Sequence, residues 1–261
     1  MRKKFAFLFC IVLWTALAFI GCAGKNSRKG APDRVYLYTE KFSAPNNDNF
    51  GYYSELKTDG YNAEIYVSEK DGGRGIVIDV DAKFADGSGN SLFLDMRDES
   101  FGALLSCGSP AGGTMHKMLY ITEDGWSSYE ASDISSQIKN YPRHIAMLSD
   151  ELGYIGGDRR DGSTLYCTLD GGRTWSEADI GVNTRNAFAP IPGGNGKYYE
   201  LIEIMAAEPS KSAYNLYESD DGLEWERLKT FSLDTGISDY CCADGRICFI
   251  CNDASVYAME L

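Results

Sequence analysis

The stretch Thr168-Leu169-Asp170-Gly171-Gly172-Arg173-Thr174-Trp175 decides the reading of this chain. A hydroxyl residue is followed two places on by an Asp, two further by a Gly, and then by Thr-Trp. An Asp carboxylate in that setting accepts hydrogen bonds from the N–H groups of its own turn. Gly172 supplies the positive φ that side-chain-bearing residues resist. Trp175 then brings a large apolar ring to the start of the next extended segment. The pattern describes a tight connection between two antiparallel strands.

Weaker copies stand elsewhere. Thr122-Glu123-Asp124-Gly125-Trp126-Ser127-Ser128-Tyr129 keeps the hydroxyl, the Asp and an aromatic in the Trp175 place. Ser219-Asp220-Asp221-Gly222-Leu223-Glu224-Trp225 is one residue shorter, and Asp71-Gly72-Gly73 lacks the aromatic. The aspartates fall at 71, 124, 170 and 221, separated by 53, 46 and 51 residues. A period of about 50 residues is the size of one four-stranded propeller blade. Short apolar runs flank each turn, such as Leu165-Tyr166-Cys167 before and Trp225-Glu226-Arg227-Leu228 after. Two more lie upstream, as in His144–Leu148 and Leu152–Ile155. Four runs split by Gly-rich turns make a small antiparallel sheet. Aromatics at 13%, with 17 Tyr and 28 Gly in 261 residues, suit many short strands better than helices.

These residues resemble the Asp-box, the BNR repeat of sialidases, sortilin-type receptors and photosystem-assembly propellers. The resemblance spans residues 60–230, with one complete copy. It implies an all-β propeller of four-stranded antiparallel blades; the count of runs gives five blades, with four or six left open. It also implies a structural role, on the turn between third and fourth strands, for Thr168, Asp170, Gly172, Thr174 and Trp175. The same role falls to Thr122 and Asp124, and to Ser219, Asp221 and Trp225. Within that family a sialidase needs an early Arg-Ile-Pro, an Arg triad, a Tyr-Glu pair and an Asp acid. No Arg-Ile-Pro occurs, Tyr141-Pro142-Arg143 is not a substitute, and Arg is sparse.

The tail holds three runs, Ser238–Cys242, Ile247–Cys251 and Ser255–Met259, and no box. A last blade short of one strand can be completed by an N-terminal strand such as Val35-Tyr36-Leu37-Tyr38, which leaves few sheet edges free. Asp244-Gly245 is a two-residue hairpin signal. It sets Ala243 against Arg246, Cys242 against Ile247 and Cys241 against Cys248, the preferred pair for a disulfide. Cys248 and Cys251, three apart on a strand, point to opposite faces, against a metal or redox pair.

At the other end, Met1-Arg2-Lys3-Lys4 and the apolar run Phe5–Ile20 read as a secretory leader, 1–21. Gly21-Cys22, with Phe19 where Leu is usual, resembles the lipobox of bacterial lipoproteins, so Cys22 is the expected lipid attachment site. Palmitate-type acylation there anchors the chain to a bacterial cell or outer membrane, outside the cytoplasm. Residues 22–33 are a polar tether reaching about 30–35 Å when extended, and 34–261 are the propeller.

The formal charge is -13, and loss of the three basic leader residues leaves about -16. Such a surface repels nucleic acid and anionic lipid. His116 and His144 have no metal-ligand spacing, and Asp86-Gly87-Ser88-Gly89-Asn90 is not an EF-hand. No catalytic, cofactor or metal set is expected. The leading reading is a non-catalytic binding or scaffolding module for a protein or glycan. The channel mouth and the loops 38–49, 107–116, 189–197 and 206–212 are its candidate contacts. A sialidase-like glycan hydrolase and an envelope assembly factor are the alternatives.

Overall fold

The computed structural model describes residues 35–37, 52–58, 63–69, 75–80, 91–110, 115–158, 163–178 and 184–261. The leader, Cys22, the tether, the loop 38–49 and the Asp71-Gly72-Gly73 turn lie outside them. Every regular element among the described residues is a β-strand, and every strand pairing is antiparallel.

After β1 (Tyr36–Leu37), the strands follow one another in meanders. The first is β2 (Tyr52–Thr58), β3 (Ala63–Glu69) and β4 (Gly75–Val80). The second is β5 (Ser91–Met96), β6 (Gly102–Cys107), β7 (Lys117–Thr122) and β8 (Glu130–Asp133). Next come β9 (Tyr141–Met147), β10 (Gly153–Asp158), β11 (Leu165–Thr168) and β12 (Ser176–Glu177). In the following meander the first strand is split into β13 (Thr184–Ala187) and β14 (Ile191–Pro192). Both halves pair with β15 (Tyr198–Ile204), which leads to β16 (Ser212–Ser219) and β17 (Glu226–Leu233). The last is β18 (Ile237–Ala243), β19 (Arg246–Cys251) and β20 (Val256–Glu260). Its fourth strand is β1, with Tyr36 opposite Ala258 and Leu37 opposite Tyr257. The N-terminal strand thus completes the C-terminal sheet, as the missing run in the tail requires.

The apolar cores lie between successive meanders. Ile65, Val67 and Ile78 of the first pack on Met96, Leu104, Tyr120 and Trp126 of the second. Ala103, Leu105 and Leu119 meet Ile145, Ile155, Tyr166 and Trp175 of the third. Tyr154 and Leu165 meet Ala187 and Ile202 of the fourth. Phe188, Tyr199, Leu201 and Tyr214 meet Tyr240, Ile247 and Phe249 of the last. Neighbouring residues of one strand therefore serve two cores, and Leu104 and Leu105 of β6 are the clearest case. That is why β6, buried along its whole length, reads as an unbroken small-and-apolar run rather than an alternation. Outer β17 is mostly exposed. Strand β5 packs against β2 and β9, and β14 against β18, so the first strand of each meander is innermost. The meanders succeed one another with first strands inward, the third and fourth also joined through Asp158 opposite Asn186, and β1 and β20 share a sheet, the arrangement of a β-propeller.

The connections sort the box copies. Thr122–Tyr129 joins β7 to β8, Thr168–Trp175 joins β11 to β12, and Ser219–Trp225 joins β16 to β17. Each is a third-to-fourth-strand turn. Asp71-Gly72-Gly73 joins β3 to β4, the second and third strands of the first meander.

Candidate functional site

The three boxes share one hydrogen-bonding scheme. In the full copy, Thr168 Oγ1 donates to Asp170 Oδ1 at 2.8 Å and accepts from the N–H groups of Asp170 and Gly172, at 3.3 and 2.9 Å. Asp170 in turn accepts from Thr174 N at 2.8 Å and Thr174 Oγ1 at 2.6 Å. The Thr174 hydroxyl, followed by its N–H, holds the Asp170 carboxyl down at about 2. Asp124 repeats the arrangement with Ser128 N and Oγ, both at 2.8 Å, and Trp126 N donates to Thr122 Oγ1 at 2.9 Å. In the short copy Asp221 accepts from Glu224 N and Leu223 N, and Gly222 N donates to Ser219 Oγ. Bonds of this kind lower the pKa of Asp124 and Asp221 as well.

Each box seats on the flank of the blade before it. Gly172 has φ +88, and a Cβ there would lie 2.7 Å from Leu119 Cδ2 on β7. Tyr154 donates its hydroxyl to the carbonyl of Gly222, and its ring meets Trp225 edge-on at 6.0 Å. The Trp175 indole, 7% exposed, donates to Gly172 O at 3.0 Å within the core shared with the second blade. The second box departs from the pattern in one respect. Trp126 occupies the place of Gly172, with φ 60, and is fully buried, its indole N–H 3.0 Å from Met96 Sδ. These groups bind one another and the neighbouring blade, and they present no reactive constellation.

One concavity among the described residues lies mainly on the innermost strands. It is a cavity of about 920 Å³ walled by residues 92–97, 143–148, 189–192, Tyr198, 239–241 and Ile250. The walls are mainly apolar: Leu92, Phe93, Leu94, Ile145, Ala146, Ala189, Pro190, Ile191 and Pro192. Most of its polar groups are already engaged. Asp95 Oδ2 accepts Met147 N at 2.8 Å, from β5 across to β9. Arg97 binds Asp98 at 2.9 Å and also reaches Asp150. Arg143 Nε lies 2.6 Å from Asp158 Oδ2. Tyr240 Oη faces the carbonyls of Tyr199 at 2.8 Å and Ala189 at 2.9 Å.

Burial moves the titrating groups of this wall. Asp95 rises to about 6, against the opposing pull of the Met147 bond and Arg97. Asp239 also rises, although its side chain is open to the solvent of the concavity, because protein surrounds it on several sides. His144 falls to about 4 by burial, aided by Arg143, and its ring lies 4.7 Å from that of Phe188. It is a neutral ring in the wall at pH 7. The chain's spacing gave no sign of this assembly. The one trace was an acid interrupting an apolar strand, as in Ser91-Leu92-Phe93-Leu94-Asp95-Met96.

In the last blade the two-residue turn forms as expected, with Asp244 at φ 50 and Gly245 at φ 74, and Cys241 stands opposite Cys248. Both are free thiols. Burial pushes Cys241 up to about 12 and raises Cys248. Of the candidate loops, 189–197 supplies channel wall through its first four residues and includes β14, while 111–114 lie outside the described residues. Among the described residues no group of three or more His, Cys, Asp or Glu is placed to hold a metal ion.

No family model matches the sequence, and no curated protein matches it. Among solved structures the chain is similar to a GH74 enzyme of Niastella koreensis, with 16% identity and a TM-score of 0.47, over 76% of this chain and 32% of that one. It is similar to YCF48 bound to D1 peptide, with 13% identity and a TM-score of 0.39, over 84% and 85% of the two chains. It is also similar to virginiamycin B lyase from Staphylococcus aureus with quinupristin, with 10% identity and a TM-score of 0.30, over 84% and 98%. The chain spans about a third of the length of the Niastella koreensis enzyme. Overlaps of this quality carry no argument about activity. The class is defined by the chain's own topology: a β-propeller with an apolar-walled inner cavity.

Proposed function

We propose that this chain is a lipid-anchored envelope protein, acylated at Cys22, whose propeller is a non-catalytic binding module for a protein or glycan partner. One observation supports the reading: the inner cavity is roomy and mainly apolar, while most of its charged and polar side chains are tied into bonds within the fold. Groups so tied shape and orient a partner, whereas a catalyst needs them free to move protons. A photo-crosslinking residue in place of Ile191, in the cavity wall, tests it in envelope membranes. A discrete, saturable adduct is expected from that position and none from the same residue at Leu228 on outer β17. Equal labelling from both positions refutes the reading. Palmitate incorporation abolished by Cys22→Ala tests the anchor.

A glycan hydrolase is the second reading, favoured by two carboxyls of raised pKa, Asp95 and Asp239, that line the same cavity. Glycoside hydrolysis uses a pair of carboxyls, one of them kept protonated by a raised pKa. Turnover on a broad glycoside panel, lost in a folded Asp95→Asn variant, would establish it; an inactive wild type removes it.

A further inference from the structure

We infer that the inner cavity takes a cationic group on an apolar stem, an alkylammonium or guanidinium such as a Lys or Arg side chain. This deepens the binding reading above and rests on it. Three features of the cavity carry it: the sign of its uncommitted charge, its aromatic lining and its apolar body.

Four formal charges line the wall besides the neutral His144: Asp95, Arg97, Arg143 and Asp239. The two cations are spent. Arg97 is shared between Asp98 and Asp150, and Arg143 is held by Asp158. Neither anion is in a salt bridge, and Arg97, which favours the ionised form of Asp95, is shared with two other carboxylates. Asp95 has a bond from Met147 N to Oδ2 and none to Oδ1, and Asp239 accepts only the N–H of Tyr240 at 2.8 Å. Asp95 lies on β5 and Asp239 on β18, strands that are not neighbours among the inner ones, so the carboxyls reach the cavity from different sides. The region therefore has an excess of negative charge that an entering cation neutralises and an entering anion worsens.

The remaining wall suits the same guest. Phe93 and Tyr198, both partly exposed, bring aromatic rings to the cavity, and a cation over the face of such a ring is attracted by its quadrupole. Leu92, Ile145, Ile191 and Pro192 provide apolar surface for a methylene stem, so that a Lys or Arg side chain is matched at both ends. The affinity is linked to protons through Asp95, which gains one as pH falls through about 6. The charged groups on the elements packed against its strand are Arg97 at the strand's own end, Arg143 of β9, and the Glu55–Lys57 pair of β2, 3.4 Å apart. His144 of β9 is neutral above about pH 4.

The test titrates the detergent-solubilised full chain with four N-acetyl methylamides, those of lysine, arginine, norleucine and glutamate, and with n-butylamine. The methyl resonances of Met147 and Ile191 are followed. Lysine and arginine are expected to bind at least about ten times more tightly than norleucine at pH 8, and glutamate not at all. That advantage is expected to shrink at pH 5 and in Asp95→Asn, whose amide keeps an acceptor for Met147 N. Butylamine binding as tightly as lysine points to a free amine as the guest; lysine preferred over butylamine points to a peptide side chain. Norleucine equal to lysine overturns the charge inference and leaves a binding cavity. Absence of any shift at either methyl also overturns it, and crosslinking from position 191 then decides the binding reading separately. An advantage that survives both Asp95→Asn and Asp239→Asn overturns it as well.

Discussion

Asp95 Oδ2 accepts the backbone N–H of Met147 at 2.8 Å, and so ties the innermost strand of one blade to that of the next. Strands β5 and β9 share no ladder, so nothing else on the backbone can satisfy that donor from this side. Replacing Asp95 by Ala leaves a buried N–H unpaired, at a cost of about 1–3 kcal/mol. Asp95→Asn keeps the acceptor and is expected to lose less than half as much in urea melts. The pH dependence has a definite sign. Folding raises the Asp95 carboxyl from 3.8 to about 6, so the folded state holds a proton that the unfolded chain has lost. Its contribution is full below the unfolded value, declines between about pH 4 and 6, and is gone above. Asp95→Asn should flatten that interval.

Thr168 is the hub of the full box because its single hydroxyl satisfies three groups. It accepts from two turn N–H groups and donates to Asp170. Thr168→Val keeps the shape and strands both donors at a residue only 1% exposed, for a loss of about 1–3 kcal/mol. Thr168→Ser should retain nearly all the stability, and thermal melts separate the two. Asp170 acts at the other end of the pH scale. Its folded carboxyl is lowered from 3.8 to about 2, so its contribution is present above the unfolded value and lost as pH falls toward 2. Asp170→Asn should show a shallower acid limb.

The boxes were legible because their chemistry is local: hydroxyl, carboxylate and turn N–H groups all lie within eight residues. The Asp244-Gly245 hairpin was legible for the same reason, since a two-residue turn fixes the register that puts Cys241 opposite Cys248. Tyr36 and Leu37 against β20 followed from counting runs, a topological rather than a local argument. Asp71-Gly72-Gly73 lies outside the described residues. A channel and the loop 189–197 at it were expected, but the side chains that line the cavity were not legible beyond one acid in an apolar strand. Asp95, His144, Tyr198 and Asp239 come from separate blades and meet only when the blades close on one another.

Trp126 is a point at which the pattern would mislead a designer. The box asks for Gly there, and the backbone has φ 60. Restoring the pattern with Trp126→Gly relieves a left-handed conformation that costs about 1–2 kcal/mol. It also removes a fully buried indole from the core of Ile65, Val67, Ile78 and Leu104, where loss of a Trp costs about 3–5 kcal/mol. The core term is larger, so the variant should be less stable by about 2–3 kcal/mol in urea melts. Equal or greater stability would mean that the indole contributes little to the joint between the first two blades.

Glu200 is the most isolated acid of the described fold. It sits on β15, opposite Tyr217, is 0% exposed, and neither carboxyl oxygen has a hydrogen-bond partner. An ionised carboxylate without a partner is too costly to keep in such a place, so burial drives its pKa well above 4.5 and the group is held as the neutral acid. The sign follows. Below the unfolded value both states carry the proton and Glu200 does no harm. As pH rises above it the unfolded chain ionises while the folded one cannot, and each pH unit up to the folded value removes about 1.4 kcal/mol of stability. Glu200→Gln has the same shape and no charge to gain. It should match the wild type at pH 4.5 and exceed it by more than about 1 kcal/mol at pH 8, in paired urea melts. A variant equally weakened at both pH values would show that the carboxyl is paired in the folded protein after all. Glu200→Ala would not separate these cases, because the void it leaves between the third and fourth blades destabilises at every pH.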